Sequence, residues 1–311
     1  MAVKQELRHC YGQALVEVGR ENEKVVALDA DLRGSTMSSL FRQDFPERFF
    51  EVGIAEQNMV GLAAGLALTG WIPVVNTFAV FATGRAFEQI RQSVALPRLN
   101  IKIGGSSCGL TDTGDGATHQ SIEDIAIMRA LPNMTVLSPA DGIEAKQAVK
   151  AMFEVDGPVY IRIGRIEVPN LYGDDYRFEL GKAVTMREGS DVTLVATGTM
   201  VALALEAAET LAKEGISARV LNVHTIKPLD KEAILAAAEE TKGIVTIEEH
   251  SVIGGLGSAV AEVVSEKGGA PVRRLGVQDV FGQSSNSYEE LLAVYGLTAE
   301  NICATAKGLL E

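Results

Sequence analysis

Strand-like and helix-like stretches alternate along the whole chain, and that alternation limits the fold more than any single motif does. Runs rich in branched and aromatic residues read as strands at 24–29 (KVVALD), 48–52 (RFFEV), 71–77 (WIPVVNT), 99–105 (LNIKIGG), 134–139 (MTVLSP) and 158–164 (PVYIRIG). Helical patterns fall among them at 3–19, 56–69, 82–95, 121–130 and 141–154. The stretch VPNLYGDDYRFELGKAV (168–184) breaks the rhythm with Pro, Gly and an acidic pair. Alternation resumes at DVTLVATG (191–198), ARVLNVHT (218–225), GIVTIEEH (243–250) and PVRRLGV (271–277), each followed by a helical pattern. Such repetition predicts an α/β protein of two doubly wound, mostly parallel-sheet domains. We place the first over 1–167, a linker over 168–187 and the second over 188–311. A length of 311 residues can bury two cores of ordinary size. The 31 glycines exceed the average share of about 7% and suit many tight strand–helix turns.

A net charge of −13 disfavours nucleic acid and anionic membrane as partners, because both demand cationic patches. Small phosphorylated substrates need only two or three placed cations, so they stay open. Cys10, Cys108 and Cys303 are odd in number and scattered, which fits reduced thiols in a cytoplasmic protein better than disulfides or a zinc site. The N-terminal stretch is charged throughout and lacks the apolar core of a signal peptide. No apolar run approaches the roughly 20 residues that span a bilayer.

Two glycine-rich stretches invite a nucleotide or metal reading. Gly255 and Gly257 follow a strand, but Val260 stands where a dinucleotide fingerprint needs its third glycine, so a tight turn is the better reading. Gly114-Asp115-Gly116 echoes a magnesium–diphosphate signature. The Asn pair such a site needs downstream is missing, with Asn133 and Asn170 standing alone, so we assign no metal ligands to this chain. His9, His119, His224 and His250 lie on separate elements without ligand spacing. His119, in a polar loop before a helix, is the histidine we place in a site.

The strongest candidate is Glu56, in FFEVGIAEQNMVGLAAGLAL (49–68), with no basic residue nearer in sequence than Arg48 and Arg85. A helix N-terminus stabilises the carboxylate, whereas burial beside Val52, Ile54 and Met59 favours the protonated form. An acid so placed can both give and take a proton. A first-turn Glu that merely completes a helix cap is the plain alternative.

GIAEQNMVGLAAGLA, NTFAVFATGRAFEQIR, SIEDIAIMRALPNMTVLSPAD, GPVYIRIGR and TIKPLD, in that order, resemble the C-terminal half of transketolase over essentially the whole chain. The resemblance implies a pyrimidine-binding domain followed by a transketolase C-terminal domain. The family's N-terminal domain, which supplies the diphosphate and Mg²⁺ site, is absent, and Met1 coincides with its boundary. The chain is thus expected to be the smaller subunit of a split transketolase, working with an N-terminal subunit as a heterotetramer on sugar phosphates.

Through the same resemblance, Glu56 matches the glutamate that hydrogen-bonds N1′ of the thiamine diphosphate aminopyrimidine and starts its proton relay. Phe78 and Phe81 match aromatic positions against that ring, although core packing would explain them equally. Asp31 matches a position near the cofactor at the subunit contact. Arg8, Ser35 and Arg165 match groups for the terminal anion of a sugar phosphate, which arginine forks suit. Asp115 and His119 match positions along the donor chain. Two departures stand out: Ser107 replaces a phosphate-side histidine, and Gly114 replaces a glutamate. Both put the usual pentose-phosphate donor in question. A 2-oxoacid dehydrogenase β subunit shares the domain order, and a non-catalytic partner-binding subunit is the rival from another class.

Overall fold

The structure, a computed structural model, describes residues 3–173 and 175–311. The first half comprises β1 (Lys4–Glu6), α1 (Leu7–Glu21), β2 (Val25–Asp29), α2 (Arg33–Thr36), α3 (Ser39–Asp44), β3 (Phe49–Glu51), α4 (Glu56–Leu68), β4 (Ile72–Phe78) and α5 (Phe87–Gln89). It continues through β5 (Lys102–Ser106), α6 (Asp124–Ala130), β6 (Thr135–Leu137), α7 (Gly142–Glu154), β7 (Val159–Ile163) and β8 (Glu167–Pro169). The second half comprises β9 (Val184–Arg187), β10 (Val192–Ala196), α8 (Met200–Lys213), β11 (Ala218–Asn222), β12 (Thr225–Lys227) and α9 (Lys231–Glu240). Then follow β13 (Ile244–Ser251), α10 (Leu256–Lys267), β14 (Val272–Val277), α11 (Tyr288–Val294) and α12 (Ala299–Lys307).

Among the described residues, seven strands form a sheet in the order β12-β6-β7-β5-β4-β2-β3, and five form another in the order β14-β13-β10-β11-β9. Only the β12–β6 and β11–β9 pairings within them are antiparallel. The α/β expectation of two mostly parallel sheets therefore holds. Helices cover both faces of a parallel sheet, so every residue of β2, β5, β7 and β10 is buried. One apolar core runs between the sheets: Ile125, Met128 and Val136 join Val195, Leu221, Ile226 and Val260 in a single buried cluster. All three cysteines are free and buried.

Strands reach into the stretch 168–187 at both ends: β8 pairs antiparallel with β1, and β9 edges the second sheet. Pairing supplies partners for backbone groups that would otherwise be orphaned there. The stretch 218–225 is not one strand. It leaves the second sheet after Asn222, and β12 joins the edge of the first beside β6, with the Ser138 amide donating to the His224 carbonyl at 2.8 Å. The pattern at 82–95 is not one α-helix, because wide-turned π-helical segments at Phe81–Arg85 and Ile90–Ala95 flank α5.

A buried polar knot joins the halves on one side. The Glu144 carboxylate, in the first turn of α7, accepts from the Ala140 amide at 2.6 Å and from Tyr176 Oη at 2.7 Å. Asn222 Nδ2, from β11, donates to its two oxygens at 2.9 and 3.0 Å. Burial pushes Glu144 up from 4.5 to about 7 against these donors. The folded chain thus holds this proton more tightly than the unfolded chain does. The resulting stabilisation is full below about pH 4.5 and is lost as pH rises through about 7. Thermal unfolding of wild type and Glu144→Gln should show a melting-temperature gap, wild type above variant, that is larger at pH 5 than at pH 8. A gap that widens toward pH 8 would overturn this account.

Candidate active site

Glu56 opens α4 behind Ala55, which makes no side-chain cap. Its side chain is 2% exposed, and Oε1 accepts from Arg85 Nη1 at 2.8 Å while Oε2 is buried without a partner. The capping alternative fails on geometry, since the Ala55 amide donates to the Gly53 carbonyl rather than to Glu56. Arg85 is the neighbour of Glu56 that the sequence reading missed. It lies 29 positions away, and β4 followed by the wide turn at Phe81–Arg85 returns it to the start of α4. Its guanidinium also sits over the Phe81 ring, 4.5 Å from the centroid. The only signal for it in the sequence is a basic residue within the motif that also carries Phe78 and Phe81.

Phe78 ends β4 and Phe81 starts the wide turn, so their rings stand nearly parallel, 6.0 Å apart at 12°. His119 meets both edge-on, at 6.1 Å from Phe78 and 5.4 Å from Phe81. Four expected residues, Glu56, Phe78, Phe81 and His119, are thereby brought into one cluster through Arg85. An open carboxylate oxygen beside a flat aromatic wall suits a heteroaromatic ring with a hydrogen-bonding edge.

The loop after β5 carries the remaining polar candidates. Ser107 has φ of 52°, is buried, and leaves its Oγ without a partner. Asp115 is exposed, and Thr118 Oγ1 lies 2.9 Å from His119 Nδ1. The second half holds this loop in place. The Leu110 amide donates to Glu249 Oε1 at 2.5 Å, the Ser285 amide to the Thr113 carbonyl at 2.9 Å, and Gln120 Nε2 to the Gln283 carbonyl at 3.0 Å. Gly116, at φ of 67°, has no room for a side chain, since a Cβ there would lie 2.4 Å from Ser284 Oγ.

Arg8 and Ser35 come together, with Nη1 donating to the Ser35 carbonyl at 3.4 Å. Both arginines expected to meet an anion already have carboxylate partners. Arg8 Nε and Nη2 each lie 3.2 Å from Glu6, and Arg165 Nη1 lies 2.9 Å from Asp112. Glu6 and Arg165 share the wall of a cleft of about 620 Å³ between the β1–β8 ribbon and α8 and α11. Asp31 sits on an exposed turn at φ of 63°, where its amide donates to Glu51 Oε1.

The other motifs have internal roles. Glu248 accepts from the Leu256 and Gly257 amides at 2.6 and 2.8 Å, so the protein's own carboxylate fills the N-terminus of α10. A Cβ on Gly255 would lie 2.0 Å from that carboxylate, which explains the glycine without a nucleotide. Burial lowers His224 and His250 to about 4, so both are neutral at physiological pH.

The transketolase pyrimidine-binding domain family matches residues 3–170, and the transketolase C-terminal domain family matches residues 181–302. The chain is 47% identical over 305 residues to a 6-deoxy-6-sulfo-D-fructose transketolase subunit of Clostridium sp. (strain MSTE9), covering 98% of this chain and 94% of that one. It is 43% identical over 300 residues to an apulose-4-phosphate transketolase subunit of Phocaeicola vulgatus, 96% of each chain. A solved split-gene transketolase, described as an inactive β4 tetramer, superposes with a TM-score of 0.90 at 51% identity, covering 100% of this chain and 99% of the other. Membership of this family implies thiamine diphosphate as cofactor. With both domains matched in order and relatives of similar length, the chain belongs to the transketolase family and carries its pyrimidine-binding and C-terminal domains.

Proposed function

We propose that this chain is the C-terminal subunit of a thiamine-diphosphate-dependent transketolase, moving a two-carbon ketol unit from a ketose donor to an aldose acceptor. The observation that carries the reading is the half-used carboxylate of Glu56, with Oε1 tied to Arg85 and Oε2 buried and open. Thiamine diphosphate, when bound, supplies the carbon nucleophile and stores the negative charge left when the ketose is cleaved. Glu56 Oε2 would hold a proton against the N1′ edge of the aminopyrimidine, while Phe78 and Phe81 flank the ring and exclude water. Arg85 keeps the carboxylate turned toward that edge. His119 and Asp115 would face the donor chain, with Arg8, Ser35, Arg165 and Ser107 at its far end. Asp31 would approach the cofactor at the subunit contact.

Diphosphate and Mg²⁺ are assigned to an N-terminal partner subunit, since the sequence lacks the Asn pair of that signature. Catalysis then requires both subunits, as a heterotetramer. The inactive β4 assembly named for the solved relative supports that dependence, and relatives named as transketolase subunits favour this reading over a 2-oxoacid dehydrogenase β subunit.

With the partner present, Glu56→Gln and Glu56→Ala should each lower turnover at least a hundredfold in a steady-state assay; near-wild-type rates would sink the assignment. Calorimetric titration of thiamine diphosphate with Mg²⁺ should give tight binding for the assembled pair and weak binding for this chain alone. Equal affinities would defeat the divided site. Arg85→Met should cost the isolated chain about 1–2 kcal/mol in chemical denaturation. A charge-assisted hydrogen bond contributes somewhat more, but this guanidinium is half exposed. No loss of stability would mean that the Glu56–Arg85 contact does not hold the carboxylate.

A further inference from the structure

We infer that Asp112 is a positioning residue, holding Arg165 from one side so that its open edge meets the terminal phosphate or sulfonate of the donor. The inference rests on the transketolase reading above and deepens it at the far end of the donor chain. Arg165 follows β7, and its Nη1 donates to Asp112 Oδ2 at 2.9 Å. That is its only hydrogen bond among the described residues, so Nε and Nη2 stay open. Its side chain is 35% exposed and lines the cleft of about 620 Å³. Asp112 is 3% exposed and forms no part of that wall. It acts on a bound donor only through Arg165.

The backbone is fixed on both sides of this pair. The Asp112 carbonyl accepts from Gln120 Nε2 at 3.1 Å, and the same amide donates to the Gln283 carbonyl at 3.0 Å. Thr111 Oγ1, one residue earlier, donates to the Cys108 carbonyl at 2.6 Å. A Cβ on Gly164 would lie 3.4 Å from the Thr111 methyl, so the chain entering Arg165 runs against the chain entering Asp112. A carboxylate held in this way is a rigid anchor. Arg8 has a looser one, since its partner Glu6 is one-third exposed and can turn to water.

An arginine fork takes an oxyanion through two parallel N–H groups, and a freely rotating side chain must first be ordered to present them. Asp112 orders Arg165 in advance. The three nitrogens surround Cζ, so a partner on Nη1 lies across the guanidinium from the Nε–Nη2 edge and leaves that edge as a ready pair. Asp112 also brings a negative charge, which by itself would weaken an anion's binding. The two effects have opposite signs. Aiming wins, because the anion meets the N–H groups while the carboxylate stays behind them.

The test uses the chain assembled with its partner subunit, thiamine diphosphate and Mg²⁺. Fructose 6-phosphate, 6-deoxy-6-sulfofructose and fructose serve as donors to one common aldose acceptor. Asp112→Asn should cut the kcat/KM preference for the better anionic donor over fructose by about tenfold, mainly through KM. In an Arg165→Met background the same substitution should move that preference less than twofold, because no fork is left to aim. Asp112→Ser, smaller and also uncharged, serves if the Asn variant does not fold. A preference that holds or rises when Asp112 loses its charge overturns the inference, as does a full shift that persists without Arg165. Better use of fructose than of either anion by wild type overturns it too. Turnover of none of the three donors would instead bring down the transketolase reading, and this inference with it.

Discussion

The structure turns on a buried ion pair between Arg162 of β7 and Asp124 of α6, 2.9 Å apart and almost wholly removed from water. Two buried charges need further hydrogen bonds to offset their lost hydration; Arg162 and Asp124 Oδ2 gain them, while Asp124 Oδ1 is buried without a partner. Tyr160 Oη donates to Asp124 Oδ2 at 2.7 Å, and Arg162 Nη2 reaches the Glu249 carbonyl at 2.7 Å in the second sheet. The pair therefore fastens β7, inside one sheet, to β13, inside the other. Removing one partner from such a pair costs about 3–5 kcal/mol, because the other charge stays buried. The loop that carries Asp115 and His119 runs directly into Asp124, so its position depends on this junction.

That dependence explains how a chain of two layers builds one site. The aromatic wall and Glu56 come from the first sheet and its helices, yet the loop bearing His119 leans on Glu249, Gln283 and Ser285 of the second half. Open α/β sheets place ligands beyond the carboxyl ends of their strands, and Phe78 and the loop from Ser106 onward occupy such ends. The second half thus acts on the site by holding this loop. Similar economy governs the charged residues. Glu56 has one oxygen engaged and one free, and Glu248 is spent wholly on the start of α10.

Much of the fold was legible because parallel strands are buried on both faces and read as continuous apolar runs, with helical periodicity between them. What escaped was contact between distant segments. The crossing of β12 into the first sheet leaves no mark in the pattern, since residues 218–225 look like one uninterrupted strand. Nor does α-helical periodicity distinguish the wide turn that carries Arg85 from an ordinary helix.

The amino-acid sequence by itself determined the α/β class and the order of elements. Local pattern also marked Glu56 and His119, while Phe78 and Phe81 were marked only through the resemblance to transketolase. Only the tertiary structure decided that Arg85 would hold Glu56 and that Glu6 and Asp112 would lie beside Arg8 and Arg165. Whether a charge is free or already paired depends on groups brought together from far along the chain, and no local reading of residues can supply that distance.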